Sequence, residues 1–152
     1  MTMAELNLII GGFLGSLGFA LLYNIKGKRL IAAVGGGILC CALFVLLGLV
    51  IKNEPVIYFL VSLATSIYSE ILARVLKTPT TTFIITALIP LIPGGALYYT
   101  MSSAFEGNFD IFLNNAISTL LLALALALGV CMAVAGTRFV MRIKAATERA
   151  HK

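Results

Sequence analysis

Charge is scarce in this sequence. Asp, Glu, Lys and Arg make up only 11% of its 152 residues, and long stretches carry none. Nucleic-acid binding rests on clustered Lys and Arg meeting phosphates. The apolar segments offer no such cluster, and no nucleic-acid partner is expected. Histidine is nearly missing: His151, next to the last residue, reads as a solvated tail residue. Cys40, Cys41 and Cys131 all lie inside apolar runs. They read as small packing residues, without the spacing of a disulfide framework or a metal site. No metal and no cofactor is expected. No internal repeat is evident.

Apolar residues fill the space that charge leaves. The chain is 61% hydrophobic, with a mean hydropathy of +1.07, which excludes an ordinary soluble domain. Length and composition predict one unit of membrane helices spanning residues 1–152. The first apolar run is Leu6 to Tyr23. Glu5 precedes it, while Lys26, Lys28 and Arg29 follow it. That is the reverse of a signal peptide's charge, so a retained span is expected. Gly11, Gly15 and Gly18 recur at helical spacing and predict a close-packing face. The second run is Leu30 to Ile51, with Gly35-Gly36-Gly37 read as a packing notch, a second weak point in the helix being the alternative. Pro55 opens the third run, Val56 to Leu76. The fifth, Ile111 to about Val134, is polar at first through Asn114, Asn115, Ser118 and Thr119. Ala125, Gly129 and Ala133 then form a packing face. The basic tail, Arg138 to Lys152, is expected to continue this helix, solvated or near anionic head groups.

The fourth run, Thr80 to Phe105, is interrupted by Ile89-Pro90-Leu91-Ile92-Pro93-Gly94-Gly95. Each proline removes a backbone donor and clashes with the preceding turn. Thr80, Thr81 and Thr82 are expected to cap the first piece. About ten residues flank the break on each side, ~15 Å of helix apiece, or half of a ~30 Å hydrocarbon core. The break therefore falls near mid-membrane, where irregular backbone survives only inside protein or against a cavity. A Pro/Gly-broken span is a pointer to a transporter binding site; a kinked helix packed on a neighbour is the alternative. The second piece should begin at Gly94-Gly95-Ala96. Its unpaired N–H groups and partial positive charge suit a carboxylate, with Tyr98 one turn further on.

The third run carries polar groups on one face: Tyr58, Ser62, Thr65, Ser66 and Ser69, with Glu70 at its edge. Lipid offers these groups no partners, so the face must look into protein or water. Arg74 lies four residues beyond Glu70, within reach of an ion pair. Glu70 is a candidate for ion coupling, and a purely structural Glu70–Arg74 pair is the alternative. An intramembrane enzyme would need a nucleophile–base pair or metal ligands at depth. With no intramembrane His, a non-enzymatic role is expected.

Five spans put every basic residue except Lys52 on one side of the membrane. By the positive-inside rule that side is the cytoplasm. The expectation is therefore an all-α, five-span protein of the cell membrane, N-terminus outside and C-terminus inside.

The run Glu70…Ala73-Arg74…Lys77…Pro79…Phe83…Ile89-Pro90-Leu91-Ile92-Pro93-Gly94…Tyr98…Met101 resembles the threonine/serine exporter family. The similarity is to its second membrane half, the small subunit of split systems. Gly95 after Gly94 departs from the pattern. The resemblance implies a secondary exporter of small amino or carboxylic acids, threonine and serine or dicarboxylates such as succinate. It also implies a separately encoded first-half subunit with a soluble N-terminal region, related to this half as an inverted repeat. The expected substrate site comprises Pro90, Pro93, Gly94, Gly95 and Tyr98, with Ser62, Ser66 and Asn115 at its side-chain end. An accessory membrane subunit without its own site is the competing reading. It would show a continuous fourth helix and a Glu70 turned away from any cavity.

Overall fold

The computed structural model describes residues 3–150; His151 and Lys152 lie outside the described residues. All regular structure among them is helical: α1 (Met3–Leu22), α2 (Lys28–Val50), α3 (Glu54–Val75), α4 (Thr80–Leu88), a 3₁₀ turn (Ile89–Leu91), α5 (Gly94–Phe105) and α6 (Phe109–Ala150). Lys28–Val50, Glu54–Val75 and Phe109–Ile143 are each long and apolar enough to cross a membrane. Thr80–Leu91 and Gly94–Phe105 pass that test together, bent by 58°. In α1 the apolar stretch is the shorter Leu6–Leu22.

The turns follow from local chemistry. Asn24, at φ 55°, ends α1 in the left-handed region, which Asn tolerates better than most residues. The Ile25 N–H then donates to Ala20 O at 2.9 Å, and the Ile25 side chain is buried beneath the turn. Lys77, at φ 48°, repeats the device after α3, with Thr78 N–H donating to Ala73 O. Pro79 follows and starts α4. No threonine caps that helix: Pro79 holds the cap position, and no side-chain cap bond forms. The Thr78 hydroxyl donates instead to Leu76 O. Pro55 stands in the first turn of α3, where its missing N–H costs nothing.

Helix α4 lies between α2 and α3, and the 3₁₀ turn rests on α1 and α2. The α3 helix also packs along α6, whereas α5 finds its main neighbour in α6. One apolar cluster joins Ala20, Ile25, Ala33, Val34, Ala73 and Phe83. A second joins Cys40, Ile57, Val61, Leu88 and Leu91, at the level of the break.

Glycines set the closest approaches. A Cβ on Gly36 would lie 2.8 Å from the Ala87 methyl, and one on Gly37 would run into Ser16. The Gly35–Gly37 notch is therefore a packing feature, as its sequence suggests. Gly129 likewise lets α6 close onto α3. On α1 the expected stripe is displaced: Gly11, Gly15 and Gly18 have open space where a Cβ would stand. The buried line is Gly12, Ser16 and Ala20, with Gly12 against the Cys41 sulfur. Small residues cover both lines, so spacing alone could not choose between them.

Candidate functional site

The break is built by two missing donors. Pro90 cannot donate to the carbonyl four residues back, and the chain tightens into one 3₁₀ turn. Ile92 N–H closes that turn on Ile89 O at 3.2 Å. Ile92 is then extended (φ −61°, ψ 125°), Pro93 sits at φ −75°, ψ 61°, and α5 starts at Gly94. The Gly94 N–H donates to Ile92 O at 2.7 Å, and Leu97 N–H to Pro93 O at 3.0 Å. The Gly95 and Ala96 N–H groups have no backbone acceptor among the described residues.

This helix start is uncovered in the chain. Gly94 and Gly95 are exposed with open space around both, and Tyr98 is 67% exposed, its ring edge-on to Tyr99. Asn115 stays on the inner side of α5. Its amide lies 3.4 Å from both Tyr99 O and Ser103 Oγ. One turn away the Thr100 and Thr119 hydroxyls meet at 2.9 Å. Asn115 thus belongs to the polar seam joining α5 to α6.

Ser62 and Ser66 lie elsewhere, wholly buried on α3 with Thr65 and Ser69. Ser62 Oγ donates to Phe59 O at 3.0 Å, in the space that Gly129 leaves free. Ser69 Oγ donates to Thr65 O. The Thr65 and Ser66 hydroxyls have no partner among the described residues. Glu70 is 5% exposed. Its Oε2 accepts from Arg74 Nη2 at 2.6 Å, and its backbone carbonyl accepts from Arg74 Nη1 at 3.0 Å. Arg74 reaches outward, with a side chain 32% exposed. The polar face of α3 turns into the protein, the outcome that lipid imposes.

Pro90 faces a third place, a cavity of about 220 Å³ lined by Leu8, Cys40, Cys41, Phe44, Tyr58, Pro90 and Leu91. It is smaller than the ~300–1,000 Å³ that drug-sized ligands need. Its walls are apolar apart from the Tyr58 hydroxyl and two thiols. The sequence pointed to Pro90 and Tyr58. Cys40, Cys41 and Phe44 carried no signal, because which face of an apolar helix meets a cavity is decided by its neighbours. The predicted residues thus fall into four groups: the exposed start of α5, the Pro90 cavity, the buried α3 line ending at Glu70–Arg74, and Asn115 in the α5–α6 seam. Exposed donors at a helix start can hold an anion, and the Arg74 guanidinium fixes the position of the buried Glu70 carboxylate.

No curated protein and no solved structure matches this sequence. Residues 8–135 match the family profile described as Threonine/Serine exporter, ThrE. That match covers most of a chain whose helices are built to lie in a membrane, and the protein belongs to the threonine/serine exporter (ThrE) family.

Proposed function

We propose that this chain is the membrane subunit of a secondary exporter of small amino or carboxylic acids, threonine and serine or a dicarboxylate such as succinate. It works with a separately encoded first-half subunit. It crosses the cell membrane five times, by α1, α2, α3, the bent pair and α6, with its N-terminus outside and its C-terminus in the cytoplasm. The distribution of Lys and Arg supports that orientation. It performs no covalent chemistry on its substrate.

The observation that carries this reading is the uncovered helix start at Gly94. Free donors at the middle of a span need protein or a polar ligand. A carboxylate satisfies them and is common to every substrate class named above. Glycine keeps any Cβ from its path. The facing wall belongs to the partner half. The broken fourth helix weighs against an accessory subunit without a site.

The test is export from cells or proteoliposomes carrying both halves. Gly94→Val should weaken export of every carboxylate substrate alike, and uncharged amide analogues should be poor substrates. Amides exported as well as acids, or a Gly94→Val protein that only reorders acid preference, would overturn the carboxylate site. Full export by this subunit alone would overturn the partner half.

A further inference from the structure

Tyr58, Ser62, Ser66, Glu70 and Arg74 follow one another at intervals of four residues along α3. Residues so spaced lie one above the other, ~5–6 Å apart at Cβ. Tyr58 lines the cavity beside Pro90, and Arg74 at the other end is a third exposed. Between them the line is buried, and α2, α4 and α6 cover it.

A serine or threonine inside a helix ordinarily donates back to a carbonyl three or four residues earlier. Ser62, Ser69 and Thr86 all do so. Thr65 and Ser66 do not, although both are fully buried. A buried hydroxyl without a partner costs about 1–3 kcal/mol. These two belong to successive residues of α3, and Ser66 is one turn from Glu70 and two turns from Tyr58 at the cavity wall.

We propose that this line is a hydrated proton track. Water seated at the Thr65 and Ser66 hydroxyls links the Pro90 cavity to Glu70. A buried water needs 2–4 polar partners, which Ser62, Thr65, Ser66, Ser69 and Glu70 supply. A proton entering at the cavity is handed from water to hydroxyl to water until an O–H bond forms on Glu70. The carboxyl then no longer holds the Arg74 guanidinium by charge. Release of that proton toward the Arg74 end restores the pair. The groups that could intercept it are few. Cys40 and Cys41 of α2 line the cavity, with Cys40 beside the Thr65 hydroxyl, Tyr68 is engaged with Ala32 O, and α4 has no ionisable side chain. Between Asp110 and Arg138, α6 has only Cys131, which is exposed. A metal cation fits less well: hard cations take about six oxygen ligands, and only two hydroxyls here are uncommitted.

Coupling through this track rests on the exporter reading, whereas its hydration does not, so two measurements separate them. Ser66→Cys should react with a small hydrophilic methanethiosulfonate above the level of Ser66→Ala, which carries the same native cysteines. Ala73→Cys, in the apolar cluster, should not. Absence of labelling at position 66 would make the line dry and end the proposal. In proteoliposomes with both halves and an internal pH dye, the Thr65→Val protein, altered outside the expected substrate site, should keep substrate counterflow. Its export driven by a pH gradient should fall about a hundredfold, as when a positioned proton carrier is lost. Unchanged pH-driven export, or export driven by Na⁺ with no proton movement, would overturn the track. If the wild-type pair moves no acid at all, the exporter reading fails and the labelling still decides whether the line is wet.

Discussion

Ser62 occupies the space that a side chain on Gly129 would need. A Cβ built at Gly129 would also stand 2.6 Å from Phe59 O and 3.0 Å from Leu63 N. Backbone cannot step aside as a flexible side chain can. Two helices that together hold much of the polar interior are thus fixed by one missing methyl.

Gly129→Ala should destabilise the protein by about 1–3 kcal/mol, the usual cost of overpacking. Gly136→Ala, on the same helix with open space around it, should be neutral or stabilising by roughly 0.5–1 kcal/mol. Thermal unfolding of both variants in detergent checks the pair. Equal losses would mean that helix propensity, and not the Ser62 contact, sets the effect.

Ser16 presents a buried hydroxyl with no partner among the described residues, pressed against Gly37. Ser16→Ala removes that oxygen and should leave stability unchanged or raise it. Gly37→Ala should destabilise, and Ser16→Gly should recover much of the loss by clearing the space. A double-mutant cycle measures the coupling; additivity would show that the two positions do not collide.

The Glu70–Arg74 pair is asymmetric, with a buried acid and a part-exposed base. Arg74→Ala should cost about 3–5 kcal/mol by stranding the carboxylate. Adding Glu70→Gln should recover most of that. In export assays Glu70→Gln should abolish gradient-driven transport while the protein still assembles in the membrane. Wild-type rates in that variant would remove Glu70 from the coupling mechanism.

Membrane orientation can be read from cysteine labelling. A cysteine at Asn108, in the loop between α5 and α6, should react with impermeant reagents from outside, and one at Lys26 should not. Lys26 serves better than Gly27, whose φ of 64° would strain a larger residue. The reverse pattern would invert the topology.

Hydropathy and the proline–glycine run were enough to place the helices and the break, because both act through local backbone chemistry. α5 begins at Gly94, where two prolines force it to begin. The polar face of α3 was equally readable, since lipid leaves hydroxyls only one direction to face. What stayed hidden depends on neighbours. Both candidate lines on α1 consist of small residues, and only the Cys41 sulfur and Ser16–Gly37 contact select one. Nothing in the spacing of Asn115 distinguishes a ligand contact from the α5–α6 seam that it joins. The separation of Gly94 and Tyr98 from Ser62 and Ser66 is likewise a matter of which helix each neighbour leans on.

The two arms of the bent span are held with unequal firmness. The inner arm is gripped between α2 and α3, while the outer arm leans chiefly on α6 through a short polar seam. Ile92 and Pro93, the two non-helical residues between them, make a joint of only four torsions, one locked by the proline ring. The glycine donors thus sit on the arm with one main neighbour, and the other arm is anchored by two.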